Sequence, residues 1–117
     1  MGNSSRRANY DHLLAAYTST AERWHELRTD ARAANPVFDD NARVAALLRD
    51  SHVGRTGIAG LMHHELSGVR VLAAAHSLPD LPDEAVAVLE ALATGTDLHA
   101  IAAEHALAEH RAGTFEL

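Results

Sequence analysis

Leu13, Tyr17, Ala21, Trp24, Leu27 and Ala31 follow one another at steps of three and four residues. That period puts them on one stripe of an α-helix, whereas the faces of a strand alternate at every second residue. The stripe predicts one long amphipathic helix from about Tyr10 to Ala34. Asn35-Pro36 interrupts it, Asn being suited to cap a second helix and Pro to occupy its first position. This second helix runs to about Arg49 and buries Val37, Val44, Leu47 and Leu48. No segment alternates convincingly with period two, so the fold class expected is all-α.

The remaining chain reads in the same way. Residues 1–8 are polar and aperiodic, which predicts a disordered N-terminal segment. Asp50 to Gly60 is a Gly-interrupted connection leading into a short helix that ends at Leu61 or Met62. After a turn at His63 to Leu66, Ser67 caps a helix from Gly68 to about Ser77, with Val69, Leu72, Ala73 and His76 inward. Pro82-Asp83-Glu84 is a helix start with acids at the positive dipole end, and the helix to Ala93 buries Val86, Leu89, Leu92 and Ala93. Gly95 ends it, Asp97 caps the next from Leu98 to about Arg111, and Gly113 stops that one. Residues 9–113 thus form one domain of about six helices, followed by a tail at 114–117. The successive helix–turn–helix units 56–77 and 83–111 suggest an α-α superhelix, a short HEAT/armadillo-like solenoid.

Composition limits the chemistry. Aromatics make up 4% of the chain, so Ala, Leu and Val must build the core. The absence of Cys excludes disulfides, thiolate metal sites and cysteine nucleophiles. With no apolar run of membrane-spanning length and no secretory signal pattern, a soluble cytoplasmic protein is expected. Charge is unevenly spread. Residues 1–77 carry nine Arg against eight acids, whereas residues 78–117 carry only Arg111 against eight acids, a local sum of −7. An acidic half disfavours a phosphate-binding surface and favours a basic protein partner.

Residue spacing limits the candidate sites. Nine His invite a metal reading, with His105 and Glu109 at i, i+4 and a dense His63-His64-Glu65 cluster. Yet no His-x-x-x-His pair occurs, and neither a metal nor another cofactor is expected. Thr56 to Ala59 followed by Ser67-Gly68-Val69-Arg70 mimics a DNA-reading helix–turn–helix, as does Asp97 to Ala102, but the supposed recognition helices offer almost no basic residues. Gly54-Arg55-Thr56-Gly57 lacks the ending of a phosphate loop, and there is no Gly-x-Ser-x-Gly elbow, so no enzyme is expected. Asp39-Asp40 and Asp83-Glu84 are read as first-turn helix acids.

The run Leu61-Met62-His63-His64-Glu65-Leu66-Ser67-Gly68-Val69-Arg70-Val71-Leu72-Ala73-Ala74-Ala75-His76 resembles the core of a HEAT-type repeat. More narrowly, three features resemble a small bacterial family known as domain of unknown function twenty-nineteen. They are Ala34-Asn35 followed by Phe38, the Ser67 to Ala75 block, and Val88 to Ala93 with His110 to Gly113. The likeness spans roughly residues 10–113. It implies a superhelical fold, no nameable enzymatic activity, and a structural clamp at Arg70, with Glu65 as its candidate partner where the HEAT pattern has Asp and Pro. Small helical-repeat proteins of this kind also resemble immunity proteins of bacterial toxin systems. The expected function is therefore a protein-binding module, an immunity-type inhibitor that occludes a basic toxin. Glu90, Asp97, Glu104 and Glu109 are its expected partner-binding acids, with His99 and His110 as polar companions, and Trp24 a core residue. The alternatives are a small DNA-binding regulator and a self-associating structural subunit.

Overall fold

The computed structural model describes residues 2–116, with side chains from Arg6 onward. Met1, from the segment expected to be disordered, and Leu117, from the expected tail, lie outside the described residues. Among those residues the chain is all-α. It forms α1 (Gly2–Glu26), α2 (Ala31–Leu48), α3 (His52–Gly60), a single 3-10 turn (Leu61–His63), α4 (Ser67–Ser77), α5 (Pro82–Ala93) and α6 (His99–Ala112).

Several boundaries differ from those read in the sequence. α1 begins at Gly2 rather than near Tyr10, because nothing in Asn3 to Ala8 breaks a helix once the apolar stripe has nucleated it. The break after α1 falls at Leu27 to Asp30, ahead of Asn35-Pro36. Asp30 caps α2, its Oδ1 accepting the Ala33 N–H at 3.2 Å. Ala31 therefore belongs to α2, and Pro36 lies inside that helix on an exposed turn. The Asp39-Asp40 pair is accordingly mid-helix, where Asp40 accepts from Arg43 at 2.8 Å. α3 already starts at His52, with Ser51 as its cap, so most of the expected connection is helical. Leu47 points out, 61% exposed, while Leu48 is buried.

The α1–α2 hairpin packs around a buried amide. Asn41 is fully buried, and its Nδ2 donates to the Tyr17 carbonyl at 3.1 Å and the Thr20 hydroxyl at 3.0 Å. α4 is the centre of the molecule: α1, α3, α5 and α6 all pack on it, and every one of its residues except Arg70 and Ala75 is buried. Its small residues allow this, since Ala73 and Ala74 let neighbouring backbones close in. The main core joins Tyr17, Leu48, Ile58, Met62, Leu78 and Leu89, and a smaller cluster joins Ala21, Val69 and Leu72. Trp24, half-buried, touches both. Area scaling for this mass gives roughly 6,200 Å² of surface. The molecule exposes 6970 Å², in keeping with its elongated 48 × 30 × 24 Å outline.

Candidate functional site

α5 and α6 carry the acidic half, and their backbones place its charges unequally. Glu90 is exposed on α5 and meets Arg111 of α6 at 3.1 Å, so it is already paired. Glu84 lies 3.3 Å from His63, and Asp80 lies between Arg49 (3.5 Å) and Arg55 (3.8 Å). Glu104 and Glu109 are exposed, and neither forms an ion pair with a described residue. At 100° per residue they stand about 140° apart around α6. Between them runs the outer stripe of the helix: Leu98, Ile101, His105, Ala108 and Ala112, at steps of three and four, all exposed. Leu98 is 50% and Ile101 56% exposed, large fractions for residues of this type. The outer face of α6 is thus an apolar ridge with a free carboxylate on each flank.

His99 does not belong to that surface, and Asp97, though exposed, is engaged with the start of α6. His99 is 3% exposed, held between α1, α4 and α6, and so cannot serve as a polar surface companion. Its Nδ1 is 3.1 Å from the Ser67 hydroxyl, and its ring stacks on His25 at 4.9 Å and tilts against Trp24 at the same distance. His25 Nδ1 accepts the Gly68 N–H at 3.0 Å; a Cβ at Gly68 would collide with His25, so glycine is what lets the ring approach. Burial lowers the pKa of both imidazoles; Arg28 lowers that of His25 further, and the titratable His25 ring lowers that of His99. Asp97 remains exposed while its Oδ1 accepts the His99 backbone N–H at 2.8 Å. Burial pushes its carboxyl up, but the Ser67 hydroxyl and the His99 backbone outweigh that, and the pKa ends below the usual range.

This polar knot was missed from sequence. Ser67 is not a side-chain cap of α4 but a partner of His99, and His25 gave no signal beyond its place next to Trp24. His110 is half-buried. Arg70 does clamp the turn before α4, through the backbone carbonyls of His64 and Glu65 at 2.9 Å each; the Glu65 side chain is not its partner. The His63-His64-Glu65 cluster is dispersed, His64 accepting the Leu66 N–H and lying 3.8 Å from Glu22. Among the described residues no three His, Asp or Glu converge as a metal site requires. Gly54-Arg55-Thr56-Gly57 lies inside α3, with Arg55 donating to the Arg49 carbonyl at 2.8 Å. No helix among the described residues is long and apolar enough to cross a membrane.

Set against known protein families, curated proteins and solved structures, the chain matches none of them.

Proposed function

We propose that this chain is a protein-binding module that docks a basic partner on the outer face of α6, and most concretely that it is an immunity-type inhibitor of a basic toxin. The exposed Leu98–Ile101 ridge between the free carboxylates of Glu104 and Glu109 carries the reading. An apolar centre flanked by charge is how specific interfaces are built, the centre supplying affinity and the flanks encounter rate and register. The likeness of residues 61–76 to a HEAT-type repeat, a scaffold of paired helices, supports it. The DNA-binding alternative is weakened because α4, its candidate recognition helix, is buried and its one base, Arg70, is committed to the turn.

The test is co-expression with the product of the adjacent upstream reading frame, scored for growth and co-purification. Growth arrest by that product, relieved by this chain in a stable complex, is the expected result. Ile101→Asp should weaken the complex at least tenfold, as should the joint reversal Glu104→Arg with Glu109→Arg, and association should slow as salt rises. A harmless neighbour, or a complex indifferent to both variants, would overturn the reading.

A further inference from the structure

A cavity of about 380 Å³ lies among α1, α2, α4, α6 and the tail that follows α6. That is near the lower end of the range for small-molecule pockets. Its walls are apolar: Trp24, Phe38, Leu72, Ala102, Ala106 and Phe115. Both ends are polar, and they differ in character.

At the inner end is His76, only 8% exposed. Its Nδ1 lies 2.7 Å from the Tyr17 hydroxyl, and its Nε2 makes no hydrogen bond to a described residue. Burial, aided by Arg49, lowers the imidazole pKa to about 4, so the ring is neutral at pH 7; burial also pushes the phenol upward. The phenol therefore donates to Nδ1, which leaves the ring proton on Nε2 as an unused donor bordering the cavity. At the outer end are His105, Glu109 and Glu116. Both carboxylates are exposed, and neither forms an ion pair with a described residue.

We propose that this cavity binds a small organic cation, an arylalkylammonium whose ring lies between Trp24, Phe38 and Phe115. Its ammonium group meets Glu109 and Glu116, and an oxygen on the far side of the ring accepts from His76 Nε2. Charge selects the cation, because a neutral or anionic head forfeits the carboxylate pairing or opposes it. The aromatic walls add to this, since their faces attract a nearby cation. The partially buried donor selects the oxygen, because a ligand without an acceptor leaves it unpaired. The inference does not rest on the protein-binding reading, although the two share Glu109 and His105 at the edge of the outward ridge of α6.

Four matched probes test it: tyramine, phenethylammonium (no ring oxygen), 4-(2-hydroxyethyl)phenol (neutral head) and 4-hydroxyphenylacetate (anionic head). Binding to the full chain is followed by calorimetry and by amide NMR shifts. Tyramine should bind at least tenfold more tightly than the neutral phenol and severalfold more tightly than phenethylammonium, and the anion should bind weakest. Glu109→Gln with Glu116→Gln should erase the preference for the charged head while keeping the shifts in place. Ala75→Leu and Ala102→Leu, at half-buried lining positions, should each fill the cavity and abolish binding while the helical circular dichroism is unchanged. Equal binding of all four probes, no binding of tyramine at millimolar concentration, or binding that survives in both filled variants would overturn the proposal.

Discussion

Tyr17 and His76 are 59 residues apart and meet in the middle of the core. A phenol donating to a neutral imidazole lets two polar side chains lie among apolar ones without an unmet group on the shared edge. Tyr17→Phe removes the donor and strands Nδ1, so it should cost about 1–3 kcal/mol in urea unfolding; an unchanged midpoint would mean the bond contributes nothing. The same pair predicts a pH dependence. The folded pKa of His76, about 4, lies below the usual 6.5, so between those values the unfolded chain binds the extra proton. Stability is therefore full above pH 6.5 and falls as pH drops toward 4, by about 3 kcal/mol from this residue. His25 and His99, both lowered by burial, act in the same sense. Melting temperature measured from pH 7.5 to 4.5 should decline through that window, and His76→Gln should flatten the decline; a wild-type profile level from 7 to 4.5 would contradict it. The periodicity of the sequence put Tyr17 and His76 inward correctly, but which polar side chains pair across the core depends on helix packing that no spacing encodes. The buried Asn41 carried a signal that could have been read: it continues the stripe Val37, Val44 and Leu48 at helical spacing.

The helices were legible as elements because each has its own apolar period and its own punctuation. Gly113, at φ 75, stops α6 where the sequence put the stop, and Pro82 opens α5. The error between α1 and α2 came where two punctuation marks competed. Thr29-Asp30 and Asn35-Pro36 both look like helix starts, and the sequence reading favoured the proline. Asp30 prevails because its carboxylate finds the Ala33 N–H, while α2 accepts Pro36 on an exposed turn at the loss of one backbone bond. Glycine roles were equally invisible, being set by neighbours distant in sequence. At Gly54 a Cβ would strike the Leu48 carbonyl oxygen, because the end of α2 runs against the first turn of α3. Gly60 has ordinary helical angles and open space around it. Two alanine substitutions in one short helix should therefore have opposite signs. Gly54→Ala should destabilise by more than about 2 kcal/mol through backbone displacement, whereas Gly60→Ala should stabilise by about 0.5–1 kcal/mol. Thermal melts of the two variants decide the matter, and matching signs would mean that the α2–α3 approach is not as close as described.

Across the whole molecule, charge was the feature most over-read in sequence. The −7 of residues 78–117 counts Asp80, Glu84 and Glu90 as free, yet each has a cationic or titratable partner brought in by packing, for two of them from residues 1–77. What the fold leaves open is narrower: Asp83, Glu104, Glu109 and Glu116 are exposed and form no ion pair with a described residue. The same packing sets where the structure is strongest. α4 is enclosed by four helices, so its amides become accessible only when those neighbours detach, which amounts to global unfolding. The start of α1 is the opposite case: Arg6 to Asn9 are exposed, and Tyr10 is the first residue of the helix that packs on the core. Amide hydrogen exchange should therefore be slowest at Val69 to Ala74 and fastest in the turns of α1 before Tyr10. Removing residues 1–8 should lower the unfolding free energy by less than about 1 kcal/mol, a surface-scale change, and should leave the α4 protection pattern unaltered. Removing residues 1–17 deletes the Tyr17 anchor and should collapse that protection. If the shorter deletion alone exposed α4, the first turns of α1 would be part of the cooperative core, and the molecule would be held together from its edge rather than from its central helix.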